Sequence, residues 1–159
     1  AWYNKGACDG AGLADPQRQL RAWYARLLAA TRKPAFTDGG FYGLNHANAG
    51  NPAFGRVGGE SADGHWLHVF LRRDPRTGNA VMVVVNLHPN ASLRDVRVLV
   101  PAHAAKWLGI STATLSATDL LDPAVTVSVP TTKLASDGVP LPEIPAASAM
   151  LLELTGTTN

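Results

Sequence analysis

The sequence predicts a mainly β protein: an antiparallel Greek-key β-sandwich of about 7–8 strands preceded by one amphipathic α-helix. Three observations lead there. A single stretch near the start repeats its apolar residues with helical period. Everything after it consists of short valine-rich runs that alternate or are apolar throughout. Clusters of Gly, Pro, Asn and Asp separate those runs. The 159 residues suffice for one domain with a core, and 46% hydrophobic against 16% charged residues is the balance of a folded chain.

The elements follow in order. Residues 1–14 are rich in Gly and Ala, with Asn4, Gly6, Asp9, Gly10 and Gly12 marking loop. Asp15-Pro16 reads as a helix cap followed by proline at the first helical position, where its missing N–H costs nothing. Leu20, Trp23, Tyr24, Leu27 and Leu28 then form one apolar stripe, and Arg18, Arg21, Arg26 and Arg32 lie mostly off it. Arg32-Lys33 suits the negative end of the helix, and Pro34 ends it, so the helix is expected over about 16–33.

Beyond Thr37 the period changes. Phe41-Tyr42 is a short strand, and residues 45–63 are a glycine-rich loop holding one brief ordered piece. The runs 65–73 and 80–87 flank the turn cluster 74–79 and predict a hairpin. Within it, residues 81–85 are apolar on both faces and should form a central strand. Val96, Val98 and Val100 point one way and Arg97 the other; residues 102–108 form a helical turn carrying Trp107. A short strand at 119–122 runs into a turn at Pro123, and Val125, Val127 and Val129 alternate with Thr126 and Ser128. Prolines 140, 142 and 145 make 139–144 an edge or extended segment, and 150–154 is the last strand.

Composition narrows the function classes. The formal charge is only +2, and the densest basic cluster, Arg72-Arg73-Arg76, is interrupted by Asp74, which is no nucleic-acid stripe. A single cysteine, Cys8, rules out an internal disulfide and a multi-cysteine zinc site and reads as a free thiol. No apolar run approaches the ~20 residues that span a bilayer, so no membrane partner is expected.

Catalytic and metal signals are weak. Of the three glutamates, Glu60 sits in a glycine-rich loop, Glu143 between prolines and Glu153 near the end of the last strand. None is placed to face a matching carboxylate as glycoside hydrolysis requires, and all three read as solvated charge. His65 and His68 are three apart, which puts them on opposite strand faces, unsuited to one metal. Ser61 and Ser148 lack a nucleophile-elbow setting, and Gly58-Gly59 lacks the helix and lysine of a phosphate loop. No catalytic residue, metal or cofactor is expected. Aromatic side chains remain. Trp2, Tyr3, Tyr42, Trp66 and Trp107 could offer ring faces to sugars; Trp66 inside a strand is a packing residue first, leaving Trp107 and Tyr42 as candidate sugar contacts.

Several of these segments, in this order, resemble the C-terminal region of α-amylase superfamily glycoside hydrolases. Residues 4–10 (Asn-Lys-Gly-Ala-Cys-Asp-Gly), with Leu13, Gln17 and the stretch 20–28, are similar to the last barrel segment. Pro34-Ala35-Phe36 before residues 40–44 resembles the junction into the C-terminal domain. Residues 69–73 and 81–87 resemble that domain's central hairpin, with Asn86 ending a valine-rich strand, and residues 141–154 its closing segment. The resemblance implies two parts: 1–36, the last barrel loop and helix, and 37–159, the β-sandwich domain. The family's catalytic Asp, Glu and Asp lie upstream of such a segment. Asn45-His46 echoes the pair that often precedes the third, but Ala47 stands where the Asp would be, so no catalytic residue transfers.

A chain that opens within such a segment leads us to expect a fragment of a longer polypeptide. Its expected role is a non-catalytic accessory domain that flanks or stabilises the barrel of that polypeptide. Leu20, Trp23, Tyr24, Leu27 and Leu28 would form the contact, or pair two copies of the chain. A maltooligosaccharide bound through exposed aromatics is the alternative.

Overall fold

The computed structural model describes residues 10–58 and 66–157; the readings made for Trp2, Tyr3, Cys8, Glu60, Ser61 and His65 lie outside them. Helix α1 spans Asp15–Ala30. The Ala14 N–H donates to the Gln17 side-chain carbonyl at 3.0 Å, and Asp15 and Pro16 occupy the first turn, so the cap sits one residue earlier than the sequence predicts. The helix also stops earlier than 33. Lys33 precedes a proline and is extended (ψ 147°), so the winding must end before it, and Pro34 instead opens a second short helix, α2, Pro34–Thr37.

The chain then enters strands β1 (Gly40–Gly43), β2 (Leu67–Arg73) and β3 (Ala80–Asn86), a 3-10 turn at His46–Asn48 lying between the first two. After β4 (Arg97–Val98) come helix α3 (Ala102–Leu108), β5 (Thr114–Asp119), β6 (Thr126–Pro130), β7 (Val139–Pro140) and β8 (Ser148–Thr157). The fold is mainly β and antiparallel, as predicted. Six strands form one sheet in the order β1-β2-β3-β8-β5-β6, and β4 pairs with β7 in a separate two-stranded sheet.

Alternation assigns each strand residue to a face. One face of the large sheet carries Leu67, Val69, Leu71, Met82, Val84, Met150, Leu152, Leu115 and Ala117, which pack with Leu44, Phe54, Leu93, Val98, Leu108, Val139 and Ile144 into the main core. The other face carries Val81, Val83 and Leu151, covered by Ala30, Ala35 and Leu121 with Trp23, Leu27 and Phe36. Strand β3 is therefore buried on both sides, as its unbroken apolar run requires.

Two strand readings and one loop reading change. Strand β5 occupies 114–119, and the expected strand at 119–122 is only its last residue and the following turn; small Thr, Ser and Ala side chains conceal its period. The buried alternation of Val96, Val98 and Val100 is present, but only Arg97–Val98 forms a ladder: the Val96 carbonyl and the Val100 N–H bond the backbone of Leu141 and Leu134, while the Leu99 backbone and the Arg97 carbonyl go to side chains. Those side chains come from the loop: Asn48 exchanges bonds with the Leu99 backbone (2.8 and 3.0 Å), and Asn51 Nδ2 donates to the Arg97 carbonyl at 2.7 Å. Asn45 likewise bridges the Leu67 carbonyl and the Val69 N–H. Asn45, Asn48 and Asn51 thus stand in for a strand within the predicted loop, whose brief ordered piece is the 3-10 turn at His46–Asn48.

The β2–β3 turn closes on Asp74, 1% exposed, whose carboxylate accepts from the Arg76 N–H (3.0 Å) and the Thr77 hydroxyl (2.9 Å). The Arg76 N–H, ahead of the Thr77 hydroxyl and the Arg76 charge, holds the Asp74 carboxyl below the usual carboxylate range. A depressed carboxyl contributes stability that is present above its unfolded value of about 3.9 and lost as pH falls through the lower folded value. Thermal melts of Asp74→Asn should therefore show a lower Tm than the parent at pH 7, with the gap narrowing below about pH 4. A gap that stays constant down to pH 2 would contradict this account of the turn.

Candidate functional site

The α1 stripe divides in the structure. Trp23, Leu27 and Ala30 lie on one line of the helix and pack on Val81, Val83 and Leu151. Leu20, Tyr24 and Leu28 lie on the adjacent line and remain 49%, 50% and 61% exposed. A helix resting on a flat sheet buries only a narrow sector, so a stripe this wide leaves one line uncovered. The Trp23 and Tyr24 rings meet edge-on at 5.1 Å across the boundary between them.

The sheet continues this surface. Phe41 faces the α1 side, opposite Arg72 in the ladder, and its ring lies 5.1 Å from that of Phe70, which is 5.4 Å from His68. Leu87, following β3, lines a groove of about 290 Å³ with Trp23, Val85 and Ala149. Phe41 and Leu87 are each 57% exposed. The five exposed large hydrophobic residues among those described (Leu20, Tyr24, Leu28, Phe41 and Leu87) therefore share the α1 side of the sheet. Farther along that face the sheet turns polar, with Ser116–Ser128 and Thr118–Thr126 hydroxyl pairs at 2.9 and 3.0 Å across β5 and β6.

Polar contacts hold the helix pair in place. Glu153 on β8 accepts from Lys33 Nζ and from Asn79 Nδ2, both at 2.8 Å. Asn79 Oδ1 accepts the Ala35 N–H at 3.1 Å, and the Arg72 guanidinium donates to the Ala35 and Phe36 carbonyls at 3.1 and 3.2 Å. Glu153 is thus a structural anchor and not the solvated charge expected. Glu143 forms a surface pair with Arg94 at 3.0 Å, whose hydrogen bond pulls its carboxyl below the usual range and keeps it ionised, wrong for a general acid.

The two aromatic candidates come together at the opposite face of β1. Tyr42 and Trp107 are 5.5 Å apart and inclined by 44°, and His103 lies 5.8 Å from Tyr42. Both Tyr42 and Trp107 are half-buried against the main core. Trp66 is half-buried just ahead of β2, edge-on to His88 at 5.0 Å. A groove of about 560 Å³ beside Asn51, Arg97 and Asp137 has no aromatic wall.

Among the described residues no group of three or more His, Cys, Asp or Glu side chains could hold a metal ion, and no helix is long and apolar enough to cross a membrane. His46 is exposed, and its neighbour Asn45 is committed to the β2 backbone. The chain matches no family model, and no curated protein is significantly similar to it.

The anchor is open to test. Glu153→Ala removes the acceptor of two hydrogen bonds and should lower stability in urea by about 1–2 kcal/mol. Hydrogen exchange should quicken in α1 and remain slow in β3. Unchanged protection of α1 would show that Trp23, Leu27 and Ala30 hold the helix unaided.

Proposed function

We propose that this chain is a non-catalytic C-terminal accessory domain of an α-amylase-like glycoside hydrolase or transglycosylase, with its α1 side packed on the catalytic barrel of the same polypeptide. One observation carries the reading: the exposed large hydrophobic residues gather on the α1 side of the sheet, while the opposite face is closed by its own core. Exposed apolar surface concentrated in this way marks an interface. The order of segments resembling the end of a barrel and its following domain names the partner. In the same reading the large sheet and the β4–β7 pair are the layers of a Greek-key sandwich, the return of β8 between β3 and β5 being the kind of crossover such a topology needs.

A double substitution, Tyr24→Glu with Leu28→Glu, tests it. Both residues are half or more exposed, so the isolated chain should keep its circular dichroism spectrum and its Tm to within a few degrees. In a polypeptide that carries the barrel, the same pair should lower the barrel's melting temperature. A barrel indifferent to the pair sinks the reading. A chain that sediments as a dimer, and as a monomer once substituted, would give the face to a second copy.

The pairing of Tyr42 with Trp107 favours a second reading, a binding module for α-glucans. Ring–sugar contact would change tryptophan emission. Titration with maltoheptaose should then saturate and lose its amplitude in Trp107→Ala. A flat titration of the folded protein would remove this reading and leave the first intact.

A further inference from the structure

Strand β6 is the last strand of the large sheet, and its outer side is open. Its bonds to β5 alternate: the Asp119 N–H donates to the Val125 carbonyl and the Thr131 N–H to the Ala113 carbonyl, both at 2.9 Å, with the ladder between them. Val127 and Val129 therefore turn their backbone groups to β5, and Thr126, Ser128 and Pro130 turn theirs away. Among the described residues none hydrogen-bonds the backbone of those three, and all three are exposed. Strand β7 approaches β6 on the core side, where Val139 joins Val127 and Val129, but its backbone bonds go to β4.

Proteins blunt such edges with a charge, a bulge or a strand too short to pair. At the other end of the sheet, β1 is only four residues long and has glycine at both termini. Strand β6 has no such guard. Residues 123–132 carry no charge, and the Thr-Val-Ser-Val run at 126–129 suits an extended chain. Pro130 lacks an N–H, so the outward donors are those of Thr126 and Ser128. Asp122 lies just before the strand and Lys133 just after it, both exposed.

We infer that β6 pairs antiparallel with β6 of a second copy of this chain, about a two-fold axis at Ser128, joining two six-stranded sheets into one. In that register each Ser128 N–H reaches the carbonyl of the partner's Ser128, and each Thr126 N–H reaches the carbonyl of the partner's Pro130. Both outward donors are used, and the proline leaves none unpaired. The ends match as well. Asp122 comes beside the partner's Lys133, whereas a parallel pairing would set like charges together. A strip that complements itself in this way is what a two-fold dimer requires. It is a backbone edge at one end of the sheet, separate from the exposed line of α1, and neither contact depends on the other.

Sedimentation of the purified chain over a concentration series should show a monomer–dimer equilibrium, and exchange of the Thr126 and Ser128 amides should slow as the dimer fills. Ser128→Lys sets two like charges opposite each other at the axis and should weaken the dimer by roughly fivefold or more. Ser128 is exposed, so the circular dichroism spectrum should not change. With Cys8→Ser as background, Ser128→Cys should form a disulfide-linked dimer on mild oxidation. Facing residues of a hydrogen-bonded antiparallel pair have Cα atoms about 5.5 Å apart, within disulfide reach. Thr126→Cys, whose two copies lie far apart in this register, should not cross-link. The Tyr24→Glu, Leu28→Glu pair should leave the dimer intact. A chain that stays monomeric at millimolar concentration, a dimer that survives Ser128→Lys undiminished or is lost with the Tyr24 and Leu28 pair, or cross-linking of Thr126→Cys in preference to Ser128→Cys would overturn the inference.

Discussion

The placement of β8 between β3 and β5 is the constraint on which the rest of this structure depends. Strands β1 to β3 are neighbours in sequence and in the sheet, and β5 and β6 form their own hairpin. Only β8 joins the two, pairing Val83 with Leu151 on one side and Ala117 with Leu154 on the other. The large sheet cannot close until the end of the chain is in place, a non-local requirement that costs loop entropy before it returns any burial. Asp119 helps fix the junction: its Oδ1 accepts the Leu121 and Leu151 N–H groups, each at 3.0 Å, where β5 leaves the sheet.

The same strand organises both faces. Met150, Leu152 and Leu154 enter the main core, Leu151 meets the helix-side cluster, and Glu153 holds Lys33 and Asn79. A buried asparagine, Asn86, finishes the adjoining strand: its amide reaches the Ala91, Ile144 and Pro145 carbonyls and its oxygen accepts the His88 N–H. Asn86 and Asp119 therefore supply missing backbone partners, and Glu153 ties side chains together. Their work is architectural.

The two faces of the sheet differ in what they leave open. On one, α3, the asparagine-laced loop and the β4–β7 pair complete a closed core. On the other, α1 covers the centre while Leu20, Tyr24, Leu28, Phe41 and Leu87 stay in contact with solvent. This asymmetry, not any cluster of reactive groups, is the strongest functional signal in the molecule. It makes one line of the helix part of the sheet's own packing and leaves the other in solvent.

By itself the sequence determined the mainly β class, the position of the long helix, the β2–β3 hairpin and the double burial of residues 81–85. Each of these rests on a local period or a turn cluster that any window of a dozen residues displays. Residues 45–51 could have been read further, since asparagines at 45, 48 and 51 repeat every third position, but what they bind is distant in the chain. Only the tertiary structure decided that β8 is central, that the α1 stripe splits into a buried and an exposed line, that Glu153 is an anchor, and that Tyr42 meets Trp107. Those outcomes depend on which distant segments arrive at the same place, and no periodicity within a segment encodes its neighbour.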